Sequence, residues 1–464
     1  MTAGVTRRIT IRRTTAEVVG GAFVVWGFIW ENGRQALGDV ANPAFVLPLP
    51  RATKLLEVFT LVVLLLYVLV VRRNRAFDWV AGITVLIIGV VVTACSSVIG
   101  VAAGYTTPSV AMNTSYAYLA PLILAGVVNA SSQELDNPNW LLRVFESLVV
   151  VNAVVAWYQF GIQGAWGDTV HGAMHDAHMY ANAAWLGVLL TLVRLYNTRQ
   201  GFFRSAVLLL LFTPTAWAAQ YEMAELAVVV VLLGGVFAVL WRRGLKWRWL
   251  AMAGYITAGL LFVGAIQRDR PLVSWLGRIE LVTKNLGALG VVEGYRQVPS
   301  AMFTAPHSLL IGTSPGSYGS PNAVQRVLMG SEPAPLVERF TGESYELNEA
   351  TQGFLGSFVQ TSTDLSVMFV EFGPFVLFCS ALAFWLLVLR PALSAFNSPS
   401  MADRVAGVWV TVSSAYLLLL SAGTAFYAWS ASHASVFPVV VTGALLTHRN
   451  WSAAARKAHD STNL

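Results

Sequence analysis

The stretch WVAGITVLIIGVVVTACSSVIGVAA, residues 79–103, holds no charged side chain and follows the basic residues Arg72, Arg73 and Arg75. A helix needs about 20 apolar residues to cross a hydrocarbon core, so this segment reads as a membrane span with a basic flank. Comparable runs lie at 14–32, 55–71, 114–131, 141–163, 179–196, 203–220, 223–241, 248–266, 365–389, 404–427 and 431–448. Together they predict an all-α integral membrane protein of about twelve transmembrane helices. Composition points the same way. The 464 residues are 56% hydrophobic and 12% charged, where a soluble globular chain carries about a quarter charged residues.

The net charge of +6 could suggest a nucleic-acid partner. The basic residues, however, are spread over short loops between apolar runs, which membrane topology explains, and no nucleic acid is expected. Taking the runs in order, one side collects Arg7, Arg8, Arg12 and Arg13, then Arg72–Arg75, Arg143, Arg194, Arg199, Arg204, Arg242, Arg243, Lys246, Arg390, Arg404 and the basic residues after 448. The short loops of the other side hold only Arg34, Arg51 and Lys54. This asymmetry predicts both termini in the cytoplasm, which needs an even number of spans. The N-terminal basic stretch and first apolar run lack a convincing small-residue cleavage site, so they read as a retained span. Cys95 and Cys379 each fall inside a span and read as small buried residues, not a disulfide or metal pair.

The same alternation places one long segment outside. The expected organisation is a bundle over 1–266, a large extracytoplasmic loop over 267–363, three helices over 364–448 and a cytoplasmic tail over 449–464. The loop mixes Arg278, Lys284, Arg296, Arg326 and Arg339 with Glu280, Glu293, Glu338, Glu343 and Glu349. Connections of this length are usually functional or disordered, and apolar residues such as Met302, Phe303, Leu309, Leu310 and Ile311 argue for order.

Two stretches carry the chemical reading. The first is GYRQVPSAMFTAPHSLLIGTSPGSYGSPN, with Arg296, His307, Gly312, Gly316 and Tyr318; the second is STDLSVMFVEFGPF, with Asp364, Glu371 and Gly373. A third, GAMHDAHMYANAAWLG, lies between the fifth and sixth runs. With the spans and the loop, these stretches resemble the O-antigen ligase/polymerase superfamily, polytopic glycosyltransferases that act on lipid-linked sugars outside the cytoplasmic membrane. In that family an external loop carries an Arg, a short apolar helix and a Gly-rich turn ending in Tyr, and an E-x-G segment follows the loop's return. The resemblance implies a GT-C-like bundle in a bacterial cytoplasmic (inner) membrane. It also implies a polyprenyl-diphosphate-linked glycan donor, a glycan acceptor, and export or chain-length proteins as further partners.

The implied reaction is attack by a sugar hydroxyl on an anomeric carbon, with a lipid diphosphate leaving. Charge builds on the diphosphate oxygens as the bond breaks, and fixed cations there lower the barrier. Arginine grips phosphate oxygens in pairs, and the chain has no DxD carboxylate pair for a metal, so a metal-independent enzyme without cofactors is expected. Arg296 is the leading cation, with Arg278 and Arg339 binding the diphosphate beside Gly312, Gly316 and Tyr318. Candidate bases are Asp364, Glu371 and His307, with His178 secondary. An ionisable group such as Glu371 within a span suggests either function or a structural bond to a neighbouring helix. The Gly312–Gly319 turn reads equally as a phosphate cradle of backbone N–H groups or an ordinary tight turn. His171, His175 and His178 lack an acidic or Cys partner at firm metal spacing. Glu57 and Glu146, inside other spans, are expected to make structural polar contacts.

Two departures from the family pattern matter. Where members often carry Ser-Arg, this chain has AAQYEMAELAV with Glu222 and Glu225; where ligases tend to carry His, it has Thr363-Asp364. The expected activity is therefore polymerisation of lipid-linked repeat units into a surface polysaccharide. A ligase transferring a lipid-linked glycan and a glycan or lipid transporter are the alternatives, although two matching halves of a transporter are not evident.

Overall fold

The computed structural model describes residues 14–33, 60, 63, 66, 77–132, 136–174, 176–197, 201–219, 222–243, 298–299, 302, 307–317, 363–423 and 433–446. These residues form helices and turns, with no strand among them. In chain order the helices are α1 (Thr15–Gly33), α2 (Phe77–Ala102), α3 (Pro108–Ser131), α4 (Pro138–Ile162), α5 (Ala177–Asn197), α6 (Phe202–Ala218) and α7 (Glu222–Arg243). There follow the single turn α8 (Ser308–Ile311), the long α9 (Asp364–Asn397), α10 (Met401–Gly423) and α11 (His433–Leu446). Six of these helices, α2–α5, α9 and α10, are long and apolar enough to cross a bilayer, and four shorter apolar helices accompany them. The chain is an all-α, multi-pass membrane protein. The run at 248–266, all but residues 60, 63 and 66 of the run at 55–71, and most of the 267–363 loop lie outside the described residues.

Helix starts follow local chemistry. Proline opens α3 and α4, where its missing N–H costs nothing, and the Asn137 side chain accepts from Asn139 N at 3.1 Å. At α9, Thr363 Oγ1 accepts from Ser366 N at 3.0 Å while Ser366 Oγ accepts from Thr363 N at 2.8 Å, a reciprocal capping box. Gly201 sits at φ 87° in the tight link from α5 to α6, a conformation that glycine adopts without penalty.

Helix α11 is enclosed along its whole described length. Small residues make this possible. Gly27 of α1 lies against the backbone of His433, and Gly443 lies against the Val388 backbone of α9. Phe23 meets Phe437 edge-on at 6.1 Å. Several buried polar groups pair between helices, as membrane interiors favour. Tyr416 donates to Asn182 Oδ1 at 2.8 Å, Trp409 donates to the Leu186 carbonyl at 3.2 Å, and Tyr180 donates to Thr215. The outer surface carries exposed Val91, Val98, Val154, Leu210, Phe378 and Leu418, which lipid solvates and water would not. Of the two cysteines, Cys379 is buried and Cys95 is exposed, and both are free thiols.

The helices define two polar ends. At one, Thr14 donates to Asp136, Asn137 N donates to Glu17, and Glu146 of α4 pairs with Arg194 of α5 and Arg204 of α6. At the other, the α2–α3 connection meets residues 312–317 and the start of α9.

Candidate functional site

Helix α9 is interrupted two turns after it begins. Residues Met368–Phe372 form a π-helical turn, and Gly373 follows at φ 79°, ψ 161°. Pro374 then restarts the helix. Proline has no N–H, so the Val370 carbonyl loses the donor four residues on that a continuous helix would provide. A segment from the long connection fills the gap. Thr313 N donates to the Val370 carbonyl at 2.8 Å, its hydroxyl reaches the same oxygen at 3.1 Å, and Ser314 N donates to the Glu371 carbonyl at 3.1 Å.

The fit depends on two glycines that meet back to back. Gly312 has φ 78°, and a Cβ on it would lie 2.6 Å from Gly373 N; a Cβ on Gly373 would lie 2.6 Å from the Ile311 carbonyl carbon. Any side chain at either position would push the segments apart. Next to them the Glu371 carboxylate, fully buried, accepts from Gly316 N at 2.6 Å. The Gly-rich turn and the E-x-G segment, far apart in sequence, are therefore one interlocked unit.

The turn is also tied to itself and to its neighbours. Ser317 donates to the Ser314 carbonyl at 2.6 Å, Thr313 and Ser317 share a hydroxyl bond at 2.7 Å, and Thr106 donates to the Gly316 carbonyl at 3.2 Å. Gly100 of α2 leaves the space that the Ser314 side chain occupies. Ser314 is the one non-glycine residue with positive φ, 121°, among those described. Its hydroxyl is buried without a hydrogen-bond partner among the described residues. Strained, unsatisfied positions of this kind gather at functional sites.

Asp364, in the first turn of α9 and fully buried, accepts from the Tyr118 hydroxyl of α3 at 3.0 Å. The Tyr118 ring packs on Phe372 at 5.1 Å, so the same helix face holds both the carboxylate and the π turn. His307 precedes α8, its carbonyl accepting from Leu310 N and Ile311 N, and its ring Nε2 is buried without a partner among the described residues. Helix α8 packs on α9 and α2, which brings His307 to the same end.

Four of the expected residues, Gly312, Gly316, Asp364 and Glu371, thus converge, with His307 one short turn away. His178 belongs elsewhere: it opens α5, with Nδ1 3.4 Å from Asp176. His175, Arg278, Arg296, Tyr318 and Arg339 lie outside the described residues. Of the two acidic residues in AAQYEMAELAV, Glu225 is buried on α7; the Glu222 side chain is outside the description.

The two readings of the Gly-rich turn can now be separated. The N–H groups of Gly312, Thr313, Ser314, Gly316 and Ser317 each donate to a protein oxygen, and Pro315 has none. In this conformation residues 312–317 offer a diphosphate no open backbone donor. Its glycines serve close packing. Thr313, Ser314 and Tyr118 were not singled out from the sequence, because none carries a local signal of its role.

No protein-family model matches the chain, and no curated protein matches it either.

Proposed function

We propose that the chain is a membrane glycosyltransferase that polymerises polyprenyl-diphosphate-linked oligosaccharide units into a surface polysaccharide. In this reading it spans a bacterial cytoplasmic membrane about twelve times, with both termini inside. The interlocked end of the bundle and the 267–363 loop face outward. The observation that supports it is the meeting of Asp364, Glu371 and the 312–317 turn at the end of the bundle whose short loops hold few basic residues.

In the proposed step an acceptor hydroxyl oxygen forms a bond to the anomeric carbon. The bond from that carbon to the diphosphate oxygen breaks, and the electron pair leaves with the lipid diphosphate. The acceptor's proton passes to Asp364, whose orientation the Tyr118 hydroxyl sets. Glu371 holds the turn through Gly316 N and acts as a positioning residue. Arg296, with Arg278 and Arg339, stabilises the departing charge. Direct displacement inverts the anomeric centre.

The test is purified protein in detergent with a lipid-diphosphate oligosaccharide and no added metal. The expected product is a ladder, lost by about a hundredfold or more in Asp364→Asn. A single transfer product would assign a ligase, and glycan flux without bond formation would assign a transporter. Unchanged turnover in Arg296→Ala would remove the leaving-group role from that residue.

A further inference from the structure

At the end of the bundle opposite the Gly-rich turn, a cavity of about 470 Å³ opens between α4, α5, α6 and α10. This is within the range of small-molecule sites, roughly 300–1,000 Å³. One wall is polar, with Arg143, Glu146, Arg194 and Arg204, and the other is apolar, including Leu208 and Val405.

The charges do not balance. Arg194 Nη1 and Arg204 Nη2 both donate to one oxygen of Glu146, Oε2, at 2.6 and 2.7 Å. Arg143 faces the same space and makes no ion pair or hydrogen bond among the described residues. Three guanidiniums and one carboxylate thus line the same cavity among the described residues, and Arg204 has two thirds of its side chain exposed. The second carboxylate oxygen, Oε1, is buried without a hydrogen-bond partner among the described residues. A buried acceptor left unmatched is costly, so the site calls for a donor there and an anion at Arg143 and Arg204.

We propose that this cavity binds a phosphodiester headgroup that also carries a hydroxyl or ammonium donor, as in a phospholipid of the adjacent leaflet. The phosphodiester pairs with Arg143 and Arg204, the donor reaches Glu146 Oε1, and the acyl chain lies along the Leu208 and Val405 wall. Basic pockets between membrane helices bind anionic lipid headgroups in this way, and guanidinium matches phosphate geometry.

The test uses the full chain purified in neutral detergent, with affinities read from ligand-dependent thermal unfolding. The probes are dihexanoyl phosphatidylglycerol, which has phosphodiester and hydroxyls, dihexanoyl phosphatidylcholine, which lacks a donor, and glycerol 3-phosphate, which lacks acyl chains. Saturable stabilisation by phosphatidylglycerol is expected, with phosphatidylcholine about tenfold weaker. The double variant Arg143→Ala/Arg204→Ala is expected to fold, with only a small drop in melting temperature because Arg194 keeps Glu146 paired, and to bind phosphatidylglycerol at least about tenfold less tightly. Glycerol 3-phosphate, a monoester, matching the lipid would replace the phospholipid by a soluble phosphate as occupant and overturn the lipid assignment. Absence of phosphatidylglycerol binding, equal affinity for phosphatidylcholine, or undiminished binding by the double variant would overturn the proposal.

Discussion

Glu371 and Glu146 are both buried carboxylates on apolar helices, at opposite ends of the molecule, and their surroundings differ in kind. Glu371 accepts a backbone N–H from a turn that folds down onto it. Glu146 shares one oxygen between two arginines at the edge of an open cavity. The first is a joint: its bond closes two chain segments over a broken helix. The second is a charge centre, with more cation than it needs and an acceptor still open. A carboxylate inside a span is therefore not by itself a sign of catalysis; what it is bonded to decides its work.

Removing each carboxylate tests this contrast most strongly. Glu146→Ala removes the carboxylate that pairs with Arg194, whose side chain is 18% exposed, and breaking a buried pair costs about 3–5 kcal/mol. Glu371→Ala leaves the neutral Gly316 N–H unmatched, at about 1–3 kcal/mol. Unfolding in detergent, followed by helical circular dichroism, measures both. A loss in Glu146→Ala no larger than in Glu371→Ala would show that Arg194 is solvated from the cavity, and the contrast would fall.

The joint can be probed from its glycines. Gly373→Ala places a Cβ against the Ile311 backbone in a conformation that only glycine adopts easily, and the combined cost is about 2–4 kcal/mol. Gly201 also has positive φ, but a Cβ there meets nothing within 4 Å, so Gly201→Ala isolates the dihedral cost at about 1 kcal/mol. The difference between the two melting shifts measures the close approach. Equal shifts would mean that the 312–317 segment moves aside freely.

How far the sequence reveals these regions depends on distance along the chain. The described helices fall on apolar runs read from sequence, because lipid selects length and composition locally. The run at 431–448 is one of the two faintest spans in the sequence, yet it is the most enclosed of the described helices; what buries it is glycine on its neighbours, Gly27 above all, and within it Gly443. Glu371 is legible as an ionisable group in a span, and Gly373-Pro374 signals a helix break with a carbonyl to satisfy. That Thr313 satisfies it is a pairing across more than fifty residues, which no local pattern encodes. For the same reason the Gly-rich turn looks like a phosphate cradle until its N–H acceptors are known. The Glu146 network was expected as structural contact, but the orphan oxygen and the cavity beside it depend on how four helices pack.

The mildest test concerns the neighbour of the joint, Asp364. Tyr118→Phe removes one hydroxyl and keeps the ring on Phe372, so the cost in stability is about 1 kcal/mol. If Asp364 is the base, the same change frees the carboxylate's orientation and lowers turnover about tenfold or more, through kcat more than KM. If Asp364 only anchors α9 to α3, turnover falls no further than the loss of folded protein explains. Since the ring contact is unchanged in Tyr118→Phe, the two outcomes separate a carboxylate that is held for chemistry from one that, like Glu371, is held for architecture.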